Sequence, residues 1–285
     1  MKGILLAAGK GTRLYPMTKP VCKPLLPVYD KPLIYYPLSI LMQAGISDIL
    51  VIVPPGEEAA FSALLGNGQQ FGLNIYYAVQ PVARGIADAL LIAESFARGD
   101  QVCLVLGDNI FHALTLERTL KKAVEENQGA TVFGYWVENP SPFGVVEFDE
   151  NGRAISIEEK PKHPKSNYII PGLYFYDRQA MEIAHGLKPS ARGELEITDV
   201  NLEYLRRGQL QVIPLEKGFT WLDAGTADSL LYAAQTIKEL QARTGRYIGC
   251  LEEHALAEGW IPREQVHAMG RELDKTLYGK YLQSL

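Results

Sequence analysis

The chain has 285 residues, of which 47% are hydrophobic and 21% charged, a composition typical of a soluble globular protein with a sizeable core. Its 28 basic and 33 acidic residues give a net charge of -5, which disfavours a general nucleic-acid-binding surface. No apolar run is long enough to cross a membrane, and glycines and charges interrupt the apolar start too early for a signal peptide. The 3 cysteines lie far apart without a CxxC pair, so we expect no disulfide framework, no zinc site and a cytoplasmic location.

The first half of the chain alternates strand and helix patterns. Pro32 suits the first turn of the first helix, and Gly45 suits its C-terminal end. Strands that alternate with helices predict an α/β fold, with a Rossmann-like, mostly parallel sheet covered by helices on both faces. The predicted strands cover residues 4–7, 49–53, 75–79, 102–106 and 131–137, and the predicted helices cover residues 33–44, 87–97 and 116–124.

The pattern changes after about residue 138. Asn151-Gly152 is a hairpin signal, polar and proline-rich loops surround the later strands, and helical patterns dominate from residue 226 onward. We therefore predict a body over residues 1–225 that contains an inserted β-rich part over about 138–220, followed by a helical segment over 226–285. The later predicted strands cover residues 145–148, 154–158, 169–176 and 211–215.

A glycine-rich loop follows the first predicted strand. Gly9 and Gly11 leave room for a phosphate to approach backbone N–H groups, since neither has a Cβ. Lys10, Arg13 and Lys23 gather positive charge in the same short stretch, and both arginine and lysine bind phosphate. A tight turn with ordinary solvated lysines is the alternative interpretation.

Two well-known phosphate-binding motifs do not match this loop. Walker A fails because Gly3 lies one residue too far from Gly9 and because Gly11, not Ser or Thr, follows the lysine. The dinucleotide fingerprint fails because Leu14 stands where a third Gly or Ala is needed. Asp30, at the distance of a ribose-binding acid, lies in a turn before a helix, which disfavours a dehydrogenase.

Two aspartates are candidate metal ligands. Asp108 follows a buried apolar strand and Gly107, and ligands of open α/β sheets bind at the carboxyl ends of strands. Asp223 also follows an apolar pair and precedes a glycine turn. Carboxylates suit Mg2+, although either aspartate could equally be a helix cap or a turn residue. A third candidate, the pair Glu159-Lys160, could bind a sugar phosphate or be an ordinary surface ion pair.

Ten blocks of sequence, in order along the whole chain, resemble the sugar-phosphate nucleotidyltransferases. Most of them are similar to the glucose-1-phosphate thymidylyltransferases in particular. The blocks are residues 6–14 (LAAGKGTRL), 23–28 (KPLLPV), 26–32 (LPVYDKP), 34–39 (IYYPLS), 77–81 (YAVQP), 106–109 (LGDN), 144–149 (GVVEFD), 158–161 (EEKP), 172–177 (GLYFYD) and 192–201 (RGELEITDVN).

The resemblance implies a set of site residues. Asp108 and Asp223 match the family's Mg2+-binding aspartates, and Arg13, Lys23, Lys160 and Asp108 are the implied catalytic residues. Gln80 matches a residue that reads a pyrimidine edge, where an amide offers donor and acceptor together. The implied nucleotide-binding residues are Leu6, Ala8, Gly9, Gly11, Thr12, Arg13, Gln80 and Gly85, and the implied residues for the sugar phosphate are Asn109, Gly144, Glu159, Lys160, Ile170 and Tyr174.

The implied reaction joins glucose 1-phosphate to dTTP, giving dTDP-glucose and pyrophosphate for nucleotide-sugar biosynthesis such as the dTDP-rhamnose pathway. The implied assembly is a homotetramer formed through the C-terminal helices, with no nucleic-acid or membrane partner. A UTP-dependent or promiscuous enzyme is the nearest alternative, and a non-catalytic nucleotide-sugar-binding module is a further one.

Four positions depart from the thymidylyltransferase pattern. Pro24 replaces a usual Gln, Pro171 and Ala224 replace usual Thr residues, and Arg84 adds a cation beside the base loop. These changes leave the chemistry intact but leave the strictness of base and sugar selection open.

Overall fold

The protein is described by a computed structural model that covers residues 1–9 and 11–285. The strands in these residues are β1 (Lys2–Leu6), β2 (Pro27–Val28), β3 (Lys31–Pro32), β4 (Asp48–Val53), β5 (Asn74–Val79), β6 (Val102–Leu106), β7 (Asn109–His112), β8 (Ala130–Trp136), β9 (Gly144–Phe148), β10 (Ala154–Glu159), β11 (Tyr168–Ile169), β12 (Leu173–Tyr176), β13 (Leu210–Pro214) and β14 (Thr220–Asp223). The helices are α1 (Tyr35–Gln43), α2 (Glu58–Leu65), α3 (Asp88–Ala97), α4 (Leu116–Glu126), α5 (Gln179–Gly186), α6 (Ile197–Arg206), α7 (Ala227–Thr244), α8 (Leu251–Ala257), α9 (Arg263–Glu272) and α10 (Leu277–Ser284).

A ten-stranded sheet runs in the order β10-β9-β11-β8-β12-β6-β1-β4-β5, with β13 paired to β8. Strands β6, β1, β4 and β5 are parallel neighbours, and β13 is parallel to β8. Because β12 is antiparallel to both β6 and β8, these two strands point the same way. Strand β9 also points this way, since β11 is antiparallel to both β8 and β9. The prediction of an α/β fold with a mostly parallel sheet is therefore confirmed.

Helices cover both faces of this sheet, as predicted. Alternate strand residues face opposite sides, so Leu5 and Val51 join one apolar cluster while Ile4 and Ile52 join another. The first cluster includes residues of α1, α4 and α8, and the second includes residues of α3, α5 and α6. All four of these strand side chains are fully buried, and burying each contributes about 1.5–3 kcal/mol to the stability of the fold.

The structure corrects two sequence expectations about element boundaries. Helix α1 begins at Tyr35, so Pro32 lies in β3 and not in the first helical turn, whereas Gly45 does follow the helix with φ 74°. The single strand expected over 169–176 is two strands, β11 and β12. Pro171 lies between them, where its missing N–H cannot donate to a neighbouring strand. The hairpin around Asn151-Gly152 is confirmed by the antiparallel pairing of β9 with β10.

Helices α2, α5 and α6 were not expected from the sequence. Two of them, α5 and α6, lie inside the segment that was expected to contain strands and polar loops. Helix α6 packs on β10 and β13 and buries Val200 and Tyr204 against the second apolar cluster. The inserted part is therefore continuous with the main sheet and core.

The C-terminal helices pack directly on the body of the protein. Helix α7 begins with a capping box between Thr226 and Ser229 and buries Ala233 and Ile237 in a third apolar cluster with residues of β2, β7 and β14. Helix α8 packs against α1. Among the residues that the structure describes, no helix has both the length and the apolarity to span a bilayer.

Lys31 is a buried cation at this junction. It is 4% exposed, and its Nζ lies 2.6 Å from Asp30 Oδ1 and 3.3 Å from Gln241 Oε1 of α7. The rings of three tyrosines surround the ammonium, with centroids 5.2–5.6 Å away; they belong to Tyr36, Tyr247 and Tyr278. Asp30 thus has a structural partner, which agrees with its exclusion as a ribose ligand.

Candidate functional site

The pairing of β7 with β14 brings the two candidate metal ligands together. Asn109 is the register partner of Asp223, so Asp108 and Asp223 flank one end of this short antiparallel pair. The Ala224 N–H donates to the Asp108 carbonyl at 3.2 Å and closes the pair. Two residues that are 115 positions apart in the sequence therefore lie side by side at one end of this two-stranded sheet. Because a strand and not a helix follows Asp108, the helix-cap interpretation of this residue is wrong.

Gly107 explains how Asp108 comes close to the glycine-rich loop. Its N–H donates to Leu6 O at 2.8 Å, and a Cβ at this position would lie 2.9 Å from the same oxygen. Only glycine therefore allows the ends of β1 and β6 to approach this closely. The residues that follow each strand consequently lie side by side at the carboxyl edge of the parallel sheet.

A lysine and an amide hold the Asp108 carboxylate. Lys23 Nζ donates to Oδ2 at 2.5 Å, and Asn109 Nδ2 donates to Oδ1 at 2.7 Å. Lys23 is 5% exposed, so this ion pair is shielded from solvent on the lysine side. Asn109 is itself fixed, because Trp221 Nε1 and the Gly172 N–H donate to its Oδ1 at 2.6 and 3.2 Å. The carboxylate therefore has a defined orientation.

The pKa of the Asp223 carboxyl is shifted by burial and by neighbouring charges. Burial raises the pKa of its carboxyl above the ordinary 3.8, the charge of Asp108 raises it further, and Lys23 and Arg13 lower it. A divalent cation would offset the effect of the Asp108 charge on Asp223, and the two carboxylates together form an oxygen-rich donor set. No cluster of three or more His, Cys, Asp or Glu with metal-site geometry exists in residues 1–9 and 11–285. The pair fits Mg2+, which commonly binds one or two carboxylates together with water and phosphate.

The glycine-rich loop lies directly over Lys23. Gly11 has φ 59°, and a Cβ there would lie 3.0 Å from both Lys23 Cβ and Thr18 Cγ2, so glycine is required by conformation and by space. The Thr18 hydroxyl donates to Gly11 O at 2.7 Å and fixes the turn. Gly9, Thr12 and Arg13 are exposed there, whereas Lys10 lies outside the described residues.

A cavity of about 550 Å3 opens beside these groups. Of the residues expected at the site, it is lined by Arg13, Asp108, Asn109, Gly144, Glu159, Lys160, Ile170, Tyr174 and Asp223. The lining does not include Leu6, Ala8, Gly9, Gly11, Thr12, Lys23, Gln80 or Gly85. The structure thus gathers the expected metal and sugar-phosphate residues in one cavity, and Arg13 joins them from the glycine-rich loop.

Glu159 is held by neighbours on both carboxylate oxygens. The Thr198 hydroxyl donates to Oε2 at 2.5 Å, and Arg192 Nη2 donates to Oε1 at 3.2 Å. Lys160 Nζ lies 3.6 Å from Oε1. Lys160 has φ 44°, which is uncommon for a residue with a Cβ, and its side chain remains 44% exposed. Lys160 directly follows β10 in this left-handed conformation and lines the cavity.

Tyr174 forms the floor on the β12 side. Its ring stacks on Tyr176 with centroids 6.0 Å apart, and Tyr176 stacks in turn on Tyr204 at 5.7 Å. Burial raises the pKa of the Tyr174 hydroxyl well above 10, so this group remains a neutral donor and acceptor. Gly144 also lines the cavity, and a Cβ there would approach Thr198 Oγ1 to 3.1 Å and Glu159 Oε2 to 3.4 Å.

Several cavity residues were missed by sequence reasoning. Phe143 and Trp221 line the cavity and meet edge to face with centroids 5.3 Å apart. Thr198 also lines it, and Arg192 reaches Glu159 from the loop before α6. Both Arg192 and Thr198 belong to the sequence block 192–201 that resembles the family, but the resemblance alone did not indicate what either residue does.

Gln80 lies at the end of β5 and is 5% exposed. Its Nε2 donates to Asp88 Oδ2 at 2.9 Å and approaches Gly85 O at 3.4 Å. Arg84 Nη2 donates to the other oxygen of Asp88 at 2.6 Å. Gly85 has φ 104°, and a Cβ there would lie 2.4 Å from Leu195 O. The unusual Arg84 thus belongs to a compact polar arrangement beside the glycine.

The residues that line the cavity lie within the match to a model of a known protein family. The model described as nucleotidyl transferase matches residues 2–239. The chain belongs to this family. The match spans β1 to most of α7 and so includes every residue of the cavity lining.

Curated relatives extend the likeness to the whole chain. A glucose-1-phosphate thymidylyltransferase of Xanthomonas campestris is 57% identical over 284 residues, covering 100% of this chain and 96% of the relative. Proteins of the same name are 56% identical in Neisseria meningitidis, covering 99% and 98%, and 53% identical in Mycolicibacterium smegmatis, covering 100% and 99%.

Solved structures show the same fold. A Bacillus anthracis protein in complex with sucrose, whose name gives the same activity as a provisional assignment, has a TM-score of 0.77 and 43% identity over 83% of this chain and 94% of that one. A UDP-glucose pyrophosphorylase complexed with UDP-glucose has a TM-score of 0.73 at 23% identity, over 84% and 98% of the two chains, which shows the fold alone.

Proposed function

We propose that this chain is a glucose-1-phosphate thymidylyltransferase, which transfers a thymidylyl group from dTTP to glucose 1-phosphate and releases pyrophosphate. The observation that carries the proposal is the convergence of Arg13, Lys160, Asp108 and Asp223 on one cavity of about 550 Å3. Relatives that carry this name at 53–57% identity over nearly the whole chain support the substrates.

The reaction needs positioning and charge stabilisation more than proton transfer. The attacking phosphate oxygen of glucose 1-phosphate is already an anion, so no general base has to activate it. Lys160, exposed at the cavity wall, binds this phosphate and holds it in line with the α-phosphorus of dTTP. Arg13 stabilises the negative charge that develops on the departing pyrophosphate, with Lys23 as a second phosphate ligand.

Asp108 and Asp223 would hold Mg2+, which offsets the repulsion between reacting phosphates when it is bound. Lys23 supplies a positive partner of Asp108 at 2.5 Å. Trp221 and Gly172 fix Asn109, and Asn109 fixes the carboxylate. These contacts prepare the orientation of the metal ligands before substrate arrives.

The sugar is bound at the part of the cavity lined by Glu159, Gly144 and Tyr174. Glu159, oriented by Thr198 and Arg192, accepts hydrogen bonds from sugar hydroxyls. Gly144 leaves room for a hydroxyl to approach the backbone, and Tyr174 and Ile170 supply the apolar wall. Two residues depart from the usual pattern here. Pro171 lies next to this apolar wall, and Ala224 lies next to Asp223.

A panel of dTTP, UTP, CTP, ATP and GTP, each with glucose 1-phosphate, tests the proposal through pyrophosphate release with and without Mg2+. We expect dTTP to give the highest kcat/KM and EDTA to abolish turnover. Comparable turnover of UTP would indicate relaxed base selection. A preference for a purine triphosphate, or turnover that survives removal of metal, would contradict the proposal.

The same proposal includes a homotetramer and a cytoplasmic location. Apolar side chains on the outer surface of α7, Leu231 and Tyr232, are 58% and 61% exposed, which supports an interface there. Cys22, Cys103 and Cys250 are buried free thiols, which supports a reducing compartment. Light scattering of the purified chain measures the assembly, and a monomeric mass would exclude it.

A further inference from the structure

The arrangement around Gln80 suggests how a base is selected. Gln80 is 5% exposed and Asp88 is 1% exposed, so their hydrogen bond of 2.9 Å is shielded from water. A carboxylate can only accept hydrogen bonds, as can the carbonyl of Gly85 at 3.4 Å. Both neighbours therefore require the NH2 end of the Gln80 amide, and the flipped amide would place its oxygen against two acceptors.

The other end of the amide is left available. None of the described residues donates a hydrogen bond to Gln80 Oε1. In the described part of the chain, the fully buried side-chain N and O atoms without a hydrogen-bond partner are Asn127 Oδ1, Thr131 Oγ1 and His267 Nε2, so Gln80 Oε1 is not among them. Gln80 can thus offer a ligand one strong acceptor, with both of its donor hydrogens already directed to the protein.

Asp88 is locked in this arrangement by its own neighbours. Arg84 Nη2 bonds Asp88 Oδ1 at 2.6 Å, which leaves Oδ2 for Gln80. Asp88 is the first residue of α3, where the positive end of the helix dipole favours a negative charge. The backbone that precedes Asp88 is hydrogen-bonded to Leu195, whose N–H donates to Arg84 O at 2.6 Å and whose carbonyl accepts from Ala87 N at 3.2 Å.

We propose that Asp88, held by Arg84, is a positioning residue that fixes the Gln80 amide as a hydrogen-bond acceptor and so selects pyrimidines that carry a ring N–H. This inference rests on the proposed function and on the base lying against Gln80. Thymine and uracil carry a hydrogen on N3, whereas N3 of cytosine is an acceptor and would face Oε1 with two lone pairs opposed. The pair thus discriminates against cytosine but not between thymine and uracil.

The variant Asp88→Asn removes the constraint. Its amide can donate to Gln80 Oε1, which permits Gln80 to turn and present its NH2 group to the base. We expect the ratio of kcat/KM for dTTP to that for dCTP to fall by about tenfold or more, because a site that hydrogen-bonds its substrate loses selectivity when the partner is no longer fixed. The change should appear in KM, with kcat for dTTP nearly unchanged, since the reacting phosphates are not touched.

Three matched measurements separate positioning from a general structural effect. The ratio for dTTP to dUTP should not change in Asp88→Asn, because both bases carry N3–H. The double variant Asp88→Asn with Gln80→Glu should regain the preference for dTTP, since both oxygens of a carboxylate accept in either orientation. Arg84→Ala should weaken the discrimination against dCTP less than Asp88→Asn does, because Asp88 loses the partner that holds it but remains an acceptor for Gln80.

The outcomes are distinguishable from failure of the proposed function. If the unmodified enzyme releases no pyrophosphate from dTTP and glucose 1-phosphate, the proposed function fails before any variant is tested. If it does, an unchanged dTTP to dCTP ratio in folded Asp88→Asn overturns the role of Asp88. If Asp88→Asn does not fold, the single variant Gln80→Glu is compared with the double variant Asp88→Asn and Gln80→Glu instead. Equal KM values for dTTP in these two variants would overturn the positioning role of Asp88.

Discussion

The buried pair of Lys31 and Asp30 yields a stability prediction with a definite asymmetry. Lys31 is 4% exposed, whereas the Asp30 side chain is 21% exposed and accepts from Gln241 Nε2 at 2.8 Å. Removing the acid in Asp30→Asn leaves a buried ammonium without its counter-charge. Removing the cation in Lys31→Met leaves a partly solvated carboxylate that keeps one amide donor. We therefore expect Asp30→Asn to be the more destabilising change.

The magnitude has an upper limit. Breaking a buried ion pair by removing one partner costs about 3–5 kcal/mol. The ammonium can also release its proton, which at pH 7 costs about 4.6 kcal/mol for a lysine with an ordinary pKa of about 10.4. Three tyrosine rings and Gln241 Oε1 offset part of this, so we expect Asp30→Asn to cost about 3 kcal/mol. Lys31→Met should cost about 1–2 kcal/mol.

The pH dependence follows from the direction of the shift. Burial lowers the pKa of Lys31 below its ordinary value, while Asp30 raises it in partial compensation. Between the folded and the unfolded pKa the unfolded chain binds more protons, so stability rises with pH in that window. Removing Asp30 lowers the pKa of folded Lys31 further, so the pH range in which stability rises begins at a lower pH. The loss of unfolding free energy in Asp30→Asn relative to the wild type should therefore become smaller as pH rises from about 7 to 10.

Urea unfolding followed by tryptophan fluorescence, at one fixed protein concentration, measures these differences. The double variant Asp30→Asn with Lys31→Met is the control, and it should lie within about 1 kcal/mol of the wild type because no unpaired charge remains. Equal losses for the two single variants, or a deficit that does not change with pH, would refute the reasoning.

Three further predictions concern the active site. Arg13→Ala should lower kcat by about a thousandfold with unchanged circular dichroism, while the exposed control Arg153→Ala keeps full activity; normal turnover of folded Arg13→Ala would remove Arg13 from the mechanism. Since the pKa of Asp223 is raised, Mg2+ affinity measured by calorimetry should weaken on acidification at a higher pH than for ordinary aspartates, and Asp223→Asn should abolish that dependence. Gly144→Ala should raise KM for glucose 1-phosphate more than KM for dTTP, because its Cβ would meet Thr198 and Glu159; equal increases would place this glycine outside the sugar site.

The parallel half of the sheet was predictable because its signal is local. Runs such as 102–106 are apolar on both faces, and β6 has these same bounds in the structure. Where a boundary depended on non-local pairing, sequence reasoning was less successful. The strand expected over 169–176 is broken at Pro171 because β11 pairs with β9 and β8, while β12 pairs with β6 and β8.

The candidate site shows the same division between local and distant information. Asp108 could be placed at a strand end from its own neighbours, but nothing local indicated that Asp223 pairs with Asn109 across β7 and β14. The amide of Gln80 was expected to serve as donor and acceptor together. The structure directs its donor end to Asp88, a contact that no periodicity or spacing reveals.

Charge at the cavity explains why the proposed metal matters for binding as well as for turnover. Among the residues that the structure describes, two cations, Arg13 and Lys160, and three carboxylates, Asp108, Glu159 and Asp223, line it. Lys23 lies outside the lining and already pairs with Asp108. The lining is thus slightly negative, and even the charge of Lys10, whose position is not described, would bring it only to neutrality. A polyphosphate gains little from such a surface until a divalent cation reverses its sign, so dTTP affinity should depend steeply on Mg2+.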